Sequence, residues 1–333
     1  MINKGKIGKD DFVLLVTHSG DFFTVDRVSE AIIQLGATPF RLDTDKFPIT
    51  VSLNAHFDNR ASYYSLSDGD RSISTNQVKA VWMRRIWEPQ MSPDLSPQYE
   101  SACITQSFTF LNNFWDSLKH PRWVDNLARI TTAENKLLQL RLASELGLTI
   151  PKTLVTNNPE EVKQFFNQGA GKIVTKLLTP LSFGMKGSSL SFYTTEVKEE
   201  DLADAETLRY CPMIFQQQIP KSRELRVVFV NGKFFVGALD ASLYSDYSQD
   251  WRCTSTGEWL PETLPDEVAN RLHQFMFKLG LFFGVFDLIQ TPLGGYVFLE
   301  LNPTGEWGML EKDLGYPISM TIANTLLNKN LEI

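Results

Sequence analysis

The sequence predicts a mixed α/β (α+β) protein that opens with a parallel α/β layer, and three observations support this fold class. The apolar run Phe12–Thr17 is typical of a buried strand. Apolar residues then recur at helical spacing from Phe22 to Leu35, and Gly36 follows at a position where a helix can end. Residues 39–43 form a second strand-like run. Strand, helix and strand in this order indicate parallel strands joined by a helix.

The rest of the N-terminal third completes this layer. Residues 49–85 are rich in β-branched and aromatic side chains, and Asp68-Gly69 is a hairpin signal within them. We expect residues 78–85 to be the last strand of the first domain and residues 96–119 to be a helix. The predicted domains are residues 1–120, 121–200 and 201–333.

The remaining two-thirds of the chain mixes helices with strands. A helix is expected from Thr131 to Leu146, and Ile150-Pro151 marks the change from helix to strand. Asn231-Gly232 is a two-residue turn typical of a tight hairpin. Further strands are expected at residues 173–177, 189–194, 213–219, 225–230, 233–240, 284–289 and 296–301. Further helices are expected at residues 199–207, 264–279 and 318–327.

The composition narrows the class of protein. The chain has 333 residues, 43% of them hydrophobic and 21% charged, which is enough to bury two or three cores. A formal net charge of −7 argues against a nucleic-acid partner. The three cysteines and four histidines show no zinc or disulfide spacing. The first apolar run is too short for a signal segment or a membrane span, so we expect a cytoplasmic protein with no membrane partner. The oligomeric state is left open, a homodimer included.

Three oxygen-bearing side chains near the C-terminus form a candidate magnesium site. Side chains two apart on a strand face the same side, so Glu300 and Asn302 are expected to point together, with Phe298 on their face and Leu299 and Leu301 on the other. A hairpin would bring Asp287 beside them. Two carboxylates and an amide among apolar neighbours suit Mg²⁺ completed by phosphate oxygens. The alternative is that these residues end their strands and face solvent.

Two lysines and a loop that contains glycine and serine are suited to binding phosphate. Lys136 begins a helix and Lys176 ends a strand. The loop after Lys176 contains Ser182, Gly184 and Gly187. A lysine beside free backbone N–H groups suits a triphosphate, although a single lysine is more often a solvated surface residue. The chain has no Gly-x4-Gly-Lys-Ser/Thr motif, so this is not a P-loop.

The order of these residues resembles a known family. The phrases Phe-Asp-Leu-Ile at 286–289 and Phe-Leu-Glu-Leu-Asn-Pro-Thr-Gly-Glu at 298–306 resemble the magnesium motif of ATP-grasp enzymes. The resemblance implies an ATP-grasp fold behind an N-terminal parallel α/β pre-ATP-grasp domain, with ATP and Mg²⁺ as cofactors. The implied roles are Mg²⁺ binding for Asp287, Glu300 and Asn302, phosphate contact for Lys136 and Lys176, and closure over the phosphates for the loop of Ser182, Gly184 and Gly187.

Further segments match the same family. Residues 213–220 resemble the hinge strand that reads adenine. The hinge positions are Gln216, Gln217, Gln218 and Ile219. Many relatives carry Glu where Gln217 stands. The family places an arginine at Arg226 near the transferred phosphoryl group, where a guanidinium can clamp phosphate oxygens. Arg252 lies where relatives place a basic residue near the substrate carboxylate, and an exposed surface pair is the alternative.

Four phrases resemble one branch of that family. His18-Ser-Gly-Asp-Phe-Phe, residues 39–48, Val81-Trp-Met-Arg-Arg85 and residues 300–306 are similar to the microviridin-type graspetide ligases, over nearly the whole chain. This implies ATP-dependent ring closure in a ribosomally made precursor peptide: a Glu or Asp carboxylate is activated as an acyl phosphate and joined to a Lys amine. The phrase at His18 resembles the amide-forming kind. The alternatives are an ester-forming paralogue that acts on Thr or Ser, a glutamate-adding or amino-acid ligase, and a catalytically silent binding module.

The implied partner is a precursor peptide with a leader segment. The acidic stretch 196–204 is expected to dock an arginine-bearing leader helix, and a merely solvated helix face is the alternative. Trp82, Arg84 and Arg85 either contact the substrate or brace the first domain.

Overall fold

A computed structural model describes residues 11–179, 194–241 and 258–328 of the chain. The helices are α1 (Phe23–Gln34), α2 (Pro97–Ser117), α3 (Leu127–Ala133), α4 (Lys136–Glu145), α5 (Pro159–Gln168), α6 (Asp266–Leu279), α7 (Gly308–Leu314) and α8 (Ile318–Leu326). The strands are β1 (Phe12–Thr17), β2 (Thr38–Asp43), β3 (Val51–Phe57), β4 (Ser62–Asp68), β5 (Arg71–Ser74), β6 (Val78–Met83), β7 (Arg122–Val124), β8 (Thr153–Thr156), β9 (Ile173–Lys176), β10 (Thr195–Val197), β11 (Met213–Gln217), β12 (Arg223–Val230), β13 (Lys233–Asp240), β14 (Leu260–Glu262), β15 (Phe283–Gln290) and β16 (Tyr296–Asn302). Within these ranges, no helix has both the length and the apolar content needed to cross a bilayer.

The first sheet is parallel, as the sequence predicts, with the strand order β2-β1-β6-β7. Leu14 and Val16 pack on the side of α2, and Val13 and Leu15 pack on the side of α1. Because both faces of β1 are covered, its sequence is a continuous apolar run instead of an alternating one. The expectation that β6 is the last strand is wrong, since the short strand β7 pairs with it after the intervening helix α2.

Both predicted hairpin turns are confirmed. Gly69 joins β4 to β5 with a φ of +59°, in a small antiparallel sheet of order β3-β4-β5. Asn231 and Gly232 join β12 to β13 with φ values of +47° and +92°. Positive φ at both central residues is the conformation that asparagine followed by glycine favours in a two-residue turn.

The second sheet is antiparallel, with the order β10-β9-β11-β8. Helix α5 and a 3-10 helix at Glu199–Tyr210 pack together on it around Val162, Phe166 and Leu208. The predicted strand 189–194 falls almost entirely outside the described residues, and β10 begins at Thr195. The three-domain division stays a prediction. Sheet pairing crosses both predicted boundaries, because β7 pairs with β6, which lies before residue 120, and β11 pairs with β8 and β9, which lie before residue 200.

The third sheet, β14-β13-β12-β15-β16, is antiparallel and carries the candidate magnesium residues. Helix α6 covers one face, where Phe275 packs on Phe286 and Phe298. Helices α7 and α8 cover the other face, and the core there is continuous with the α1 side of the first sheet. The first and third sheets therefore share one hydrophobic core, which fixes the N-terminal layer against the strands of the site.

The predicted helix from Thr131 to Leu146 is divided in two. Helix α3 ends at Ala133, and Asn135 caps α4 by accepting hydrogen bonds from the backbone N–H groups of Leu137 and Leu138. Asparagine at this position satisfies N–H groups that a helix start leaves without partners. The division places Lys136 in the first turn of a new helix.

A β-bulge alters the predicted face of β16. Asp287 is opposite Glu300, but Leu288 is opposite Phe298, so Leu299 is an extra residue on β16. Phe298 consequently lies in the same core as Leu301 and not beside Glu300. The expectation that Phe298 shares the face of Glu300 is therefore wrong, because simple alternation fails at a bulge.

Candidate active site

The structure brings Asp287, Glu300 and Asn302 together. Asp287 and Glu300 are paired across β15 and β16, and Asn302 ends β16. The Nδ2 atom of Asn302 donates to Oδ2 of Asp287 at 3.0 Å and to Oε1 of Glu300 at 3.2 Å. Two carboxylates that share one amide are close enough to act on a common ligand.

Lys136 and Lys176 converge on Glu300 from two different elements. Nζ of Lys136, at the start of α4, lies 3.0 Å from Oε2 of Glu300, and Nζ of Lys176, at the end of β9, lies 3.9 Å from the same oxygen. Burial works against ionisation of Glu300, but the two lysines outweigh it and hold the pKa of Glu300 well below its usual range. Glu300 is therefore an anion at neutral pH.

Arg226 supplies a third cation, on the Asp287 side of the site. It lies on β12 opposite Asp287, and its NH1 atom donates to both carboxylate oxygens at 2.7 and 2.9 Å. Its Nε and NH2 atoms donate to the main-chain oxygen of Glu306 at 3.1 and 2.8 Å. The guanidinium is thus held by two partners in a nearly buried position, which fixes its orientation.

These residues fit Mg²⁺ that is bound together with a polyphosphate. The donor set is two carboxylates and an amide oxygen, which suits a hard cation. No group of three His, Cys, Asp or Glu side chains forms a metal cluster in the described ranges, so phosphate oxygens would have to complete the shell. The amide of Asn302 must also turn, because its Nδ2 atom now faces both carboxylates. Three cations against two carboxylates leave one positive charge, which favours an anionic ligand.

The predicted hinge begins in the last two residues of β11, and part of it is engaged in contacts within the protein. Gln216 is buried, and its Nε2 atom donates to Oγ1 of Thr153 at 3.0 Å. The backbone N–H groups of Gln217 and Gln218 donate to the main-chain oxygens of Lys152 and Lys172 at 2.9 and 3.0 Å. The side chain of Gln217 is exposed, and those of Gln218 and Ile219 are half-buried.

The segment after β16 joins the site to the N-terminal layer, a connection that sequence reasoning missed. Arg84, which is 2% exposed, donates from NH2 to Oε2 of Glu306 at 2.6 Å and from NH1 to the main-chain oxygen of Thr304. The other carboxylate oxygen of Glu306 accepts from the backbone N–H groups of residues 307 and 308 at the start of α7. Glu306 therefore connects Arg84 through its side chain with Arg226 through its main chain.

The three residues whose role the sequence left open have different environments. Trp82 is 1% exposed and belongs to the shared core, so it braces the first domain, as Arg84 does. Arg85 is only half-buried, and its NH2 atom donates to the main-chain oxygen of Thr304 at 3.2 Å. The other predicted site residues, Ser182, Gly184, Gly187 and Arg252, lie outside the described residues.

Comparison with known proteins assigns the family. The family model described as "MvdD pre-ATP grasp domain" matches residues 12–131. The crystal structure of the macrocyclase MdnB from Microcystis aeruginosa MRC is 56% identical, with a TM-score of 0.82 over 95% of this chain and 99% of that one. The macrocyclase MdnC of the same organism, bound with the precursor peptide MdnA, is 35% identical, with a TM-score of 0.86 and the same two coverages.

Two more distant relatives are also similar to this chain. A Chryseobacterium gregarium RiPP-associated ATP-grasp ligase in complex with ADP and a leader and core peptide is 28% identical, with a TM-score of 0.88 over 96% of this chain and 97% of that one. The α-aminoadipate–LysW ligase LysX of Sulfurisphaera tokodaii is 22% identical over 194 residues, which are 55% of this chain and 64% of LysX. The chain spans less than two thirds of LysX but nearly the whole of MdnB. It is an ATP-dependent ligase that belongs to the ATP-grasp family of the macrocyclases MdnB and MdnC.

Proposed function

We propose that this enzyme closes a ring in a ribosomally made precursor peptide by joining a Glu or Asp side-chain carboxylate to a Lys amine. The observation that carries the proposal is the convergence of three cations, Lys136, Lys176 and Arg226, on the carboxylates of Asp287 and Glu300. That arrangement suits phosphoryl transfer from ATP, in which positioning and charge stabilisation supply most of the rate. The macrocyclase relatives make a peptide the natural carboxylate donor.

The proposed chemistry has two steps. A carboxylate oxygen of the peptide attacks the γ-phosphorus of ATP, and the bond from that phosphorus to the bridging oxygen of ADP breaks. The lysine nitrogen then attacks the acyl carbon, phosphate leaves, and the nitrogen loses a proton. Lys136 and Lys176 bind phosphate oxygens, and Arg226 offsets charge on the transferred group.

Mg²⁺ would be held by Asp287, Glu300 and Asn302. When bound, it supplies Lewis-acid stabilisation of the phosphate oxygens. Binding of Mg²⁺ competes with ion pairs within the protein, because Arg226 donates to both carboxylate oxygens of Asp287 and Lys136 contacts the carboxylate of Glu300. We therefore expect Mg²⁺ to bind well only together with the nucleotide, whose phosphates give Arg226 and Lys136 new partners.

Mass spectrometry of a candidate precursor incubated with enzyme, ATP and Mg²⁺ tests the proposal. We expect the loss of one water per ring, with equal amounts of ADP. A gain in mass equal to one amino-acid residue, that is, an amino acid less one water, would instead identify a glutamate-adding or amino-acid ligase. ATP turnover in the absence of any peptide product would contradict ring closure.

The choice of amide over ester rests on the resemblance of the phrase that begins at His18 to the amide-forming kind. In the structure His18 stacks on Trp87 with ring centroids 3.6 Å apart, and Ser19 and Asp21 are held by Asp45 and Thr24. Brief alkaline treatment of the product separates the two outcomes, because esters hydrolyse under conditions that amides survive. A product that reopens in alkali would identify the ester-forming kind.

The acidic stretch 196–204 is proposed to dock the leader of the precursor. Glu196 lies within β10, Glu199 and Glu200 follow it, and all three are exposed. Among the described strands, β10 is at the edge of its sheet. Asp201 serves a structural role, because its carboxylate accepts from the backbone N–H of Lys198 at the start of the 3-10 helix. Replacing the three glutamates by alanine, with Asp201 kept, should weaken leader binding.

An exposed acidic pair on another element controls for net charge in that experiment. Asp266 and Glu267 begin α6, on the third sheet. If leader affinity falls equally when this pair is replaced by alanine, the effect of the three glutamates is due to overall charge alone.

Because ATP and a newly translated precursor meet in the cytoplasm, we propose that the enzyme acts there.

A further inference from the structure

Two neighbouring arginines leave the end of β6 and reach the same carbonyl, that of Thr304. Arg84 is saturated: its NH2 atom lies 2.6 Å from Oε2 of Glu306 and its Nε atom 3.5 Å from Oδ2 of Asp21. Arg85 has no carboxylate within 4.0 Å in the described part of the chain, and Thr304 accepts from its NH2 atom. Arg84 is therefore paired with carboxylates, whereas Arg85 has only a carbonyl partner among the contacts described above.

The surroundings of Arg85 favour an anionic ligand. Burial and the neighbouring Arg84 lower the pKa of Arg85, while Glu306 and Asp21 oppose this only at longer range and are already engaged by Arg84. A half-buried cation with no anion in contact is costly, and an anion that binds there recovers that cost.

The backbone of Arg85 is hydrogen-bonded to β1, and its side chain reaches the loop that follows the proposed magnesium ligands. Its backbone N–H donates to the main-chain oxygen of Val16 on β1, so the side chain leaves the carboxyl end of a parallel sheet, where ligands of α/β proteins bind. The carbonyl that it contacts belongs to Thr304, two residues beyond Asn302. An anion held by Arg85 would thus lie beside the strand end that carries the proposed magnesium ligands.

We propose that Arg85 binds the side-chain carboxylate of the precursor peptide that is to be activated. This rests on the proposed function and deepens it, because it names the group that receives the carboxylate. The phosphates of ATP are served by Lys136 and Lys176, which both contact Glu300, and by Arg226 beside Asp287. A guanidinium fork matches a carboxylate with two parallel hydrogen bonds and would hold one oxygen free to attack phosphorus.

Binding measurements without turnover test this assignment. We titrate two peptides, the candidate precursor and a version in which its reacting Glu is replaced by Gln. Each is added to wild-type, Arg85→Gln and Arg85→Lys enzymes in the presence of ADP and Mg²⁺. We expect wild type to prefer the carboxylate peptide by about 10- to 100-fold, the range for a charge-assisted hydrogen-bonded pair. Arg85→Gln should abolish this preference, Arg85→Lys should restore part of it, and ADP affinity should stay within twofold in both variants.

Arg122→Gln is the matched control. Arg122 also connects the first sheet with the C-terminal end, through Asn328 at 2.8 Å, but does not contact residues 304–306. The Arg122→Gln enzyme should prefer the carboxylate peptide over the Gln peptide as strongly as wild type does. A preference that persists in Arg85→Gln would show that the carboxylate binds elsewhere, and a loss of ADP affinity in Arg85→Gln would assign Arg85 to phosphate; either result overturns the proposal. Failure of the proposed function is distinct, since wild type itself would then form no cyclic product.

Discussion

Replacing Gly305 by alanine should disturb the site through the backbone alone. A Cβ atom at Gly305 would lie 2.6 Å from Cβ of Val285, whereas ordinary contact begins at 3.4 Å, so strand and loop must separate by 0.8 Å. The loop ends at Glu306, whose main-chain oxygen accepts from Arg226 at 2.8 and 3.1 Å. An added 0.8 Å extends the longer of these contacts to 3.9 Å, beyond hydrogen-bond distance. Because a misplacement of about 1 Å can cost about 100-fold in rate, we expect kcat to fall by about 10- to 100-fold.

The assay is ADP release with saturating peptide, accompanied by denaturant unfolding. Overpacking should also lower the free energy of unfolding by about 1 to 3 kcal/mol. Gly295→Ala, in the turn between β15 and β16, is the control, since a Cβ atom there would meet only Oγ1 of Thr291 among the described residues, at 3.3 Å. A Gly305→Ala enzyme that unfolds earlier but turns over at the wild-type rate would refute the argument that this loop positions Arg226.

Three further predictions concern charged side chains. Glu300→Gln should lower ADP formation, measured in a steady-state assay, by about 100-fold or more, because Lys136 loses its carboxylate partner at 3.0 Å and Mg²⁺ loses a proposed ligand. Burial raises the pKa of Asp125 from 3.8 to about 7, so the folded protein keeps a proton that the unfolded chain releases. Stability should therefore fall as pH rises from 3.8 to about 7, by at most about 1.4 kcal/mol per pH unit. Asp125→Asn should flatten this dependence in denaturation curves measured across the same pH range. Arg84→Met should lower the free energy of unfolding, measured by denaturant midpoints, by about 2 to 3 kcal/mol, because the carboxylates of Asp21 and Glu306 lose their cation. The loss is not larger because the side chain of Glu306 is 43% exposed and water screens its charge. Arg122→Met should have a smaller effect, since Arg122 contacts the uncharged Asn328.

Local sequence signals predicted the elements that local physics determines. The Asn231-Gly232 turn follows from positive φ values that few residues accept, and β1 follows from an apolar run long enough for a strand covered on both sides. The grouping of Asp287 with Glu300 followed from a short hairpin between two strand-like runs. Each of these needs only residues near one another in sequence.

Two local errors have different causes. Asn135 is a good N-cap residue, yet the apolar spacing on either side favoured one continuous helix through it. The bulge at Leu299 has no such sign in its own residue type, because leucine fits a regular strand equally well. The bulge is fixed instead by tertiary packing, which places both Phe298 and Leu301 in the core under α6.

The link between the N-terminal layer and the site could not be read from local pattern. Arg84 and Glu306 are 222 residues apart, and each looks in sequence like an ordinary charged residue after a strand. Their pairing depends on the shared core that seats the first sheet against the third, so it is a consequence of tertiary structure. The same geometry distinguishes Arg84 from its neighbour: Arg84 lies within 4.0 Å of two carboxylates, whereas Arg85 donates to a carbonyl and has no carboxylate that close among the described residues. Two adjacent arginines can thus have different roles, one structural and one in binding. Their sequence positions do not distinguish these roles, but the partners of each guanidinium in the folded protein do.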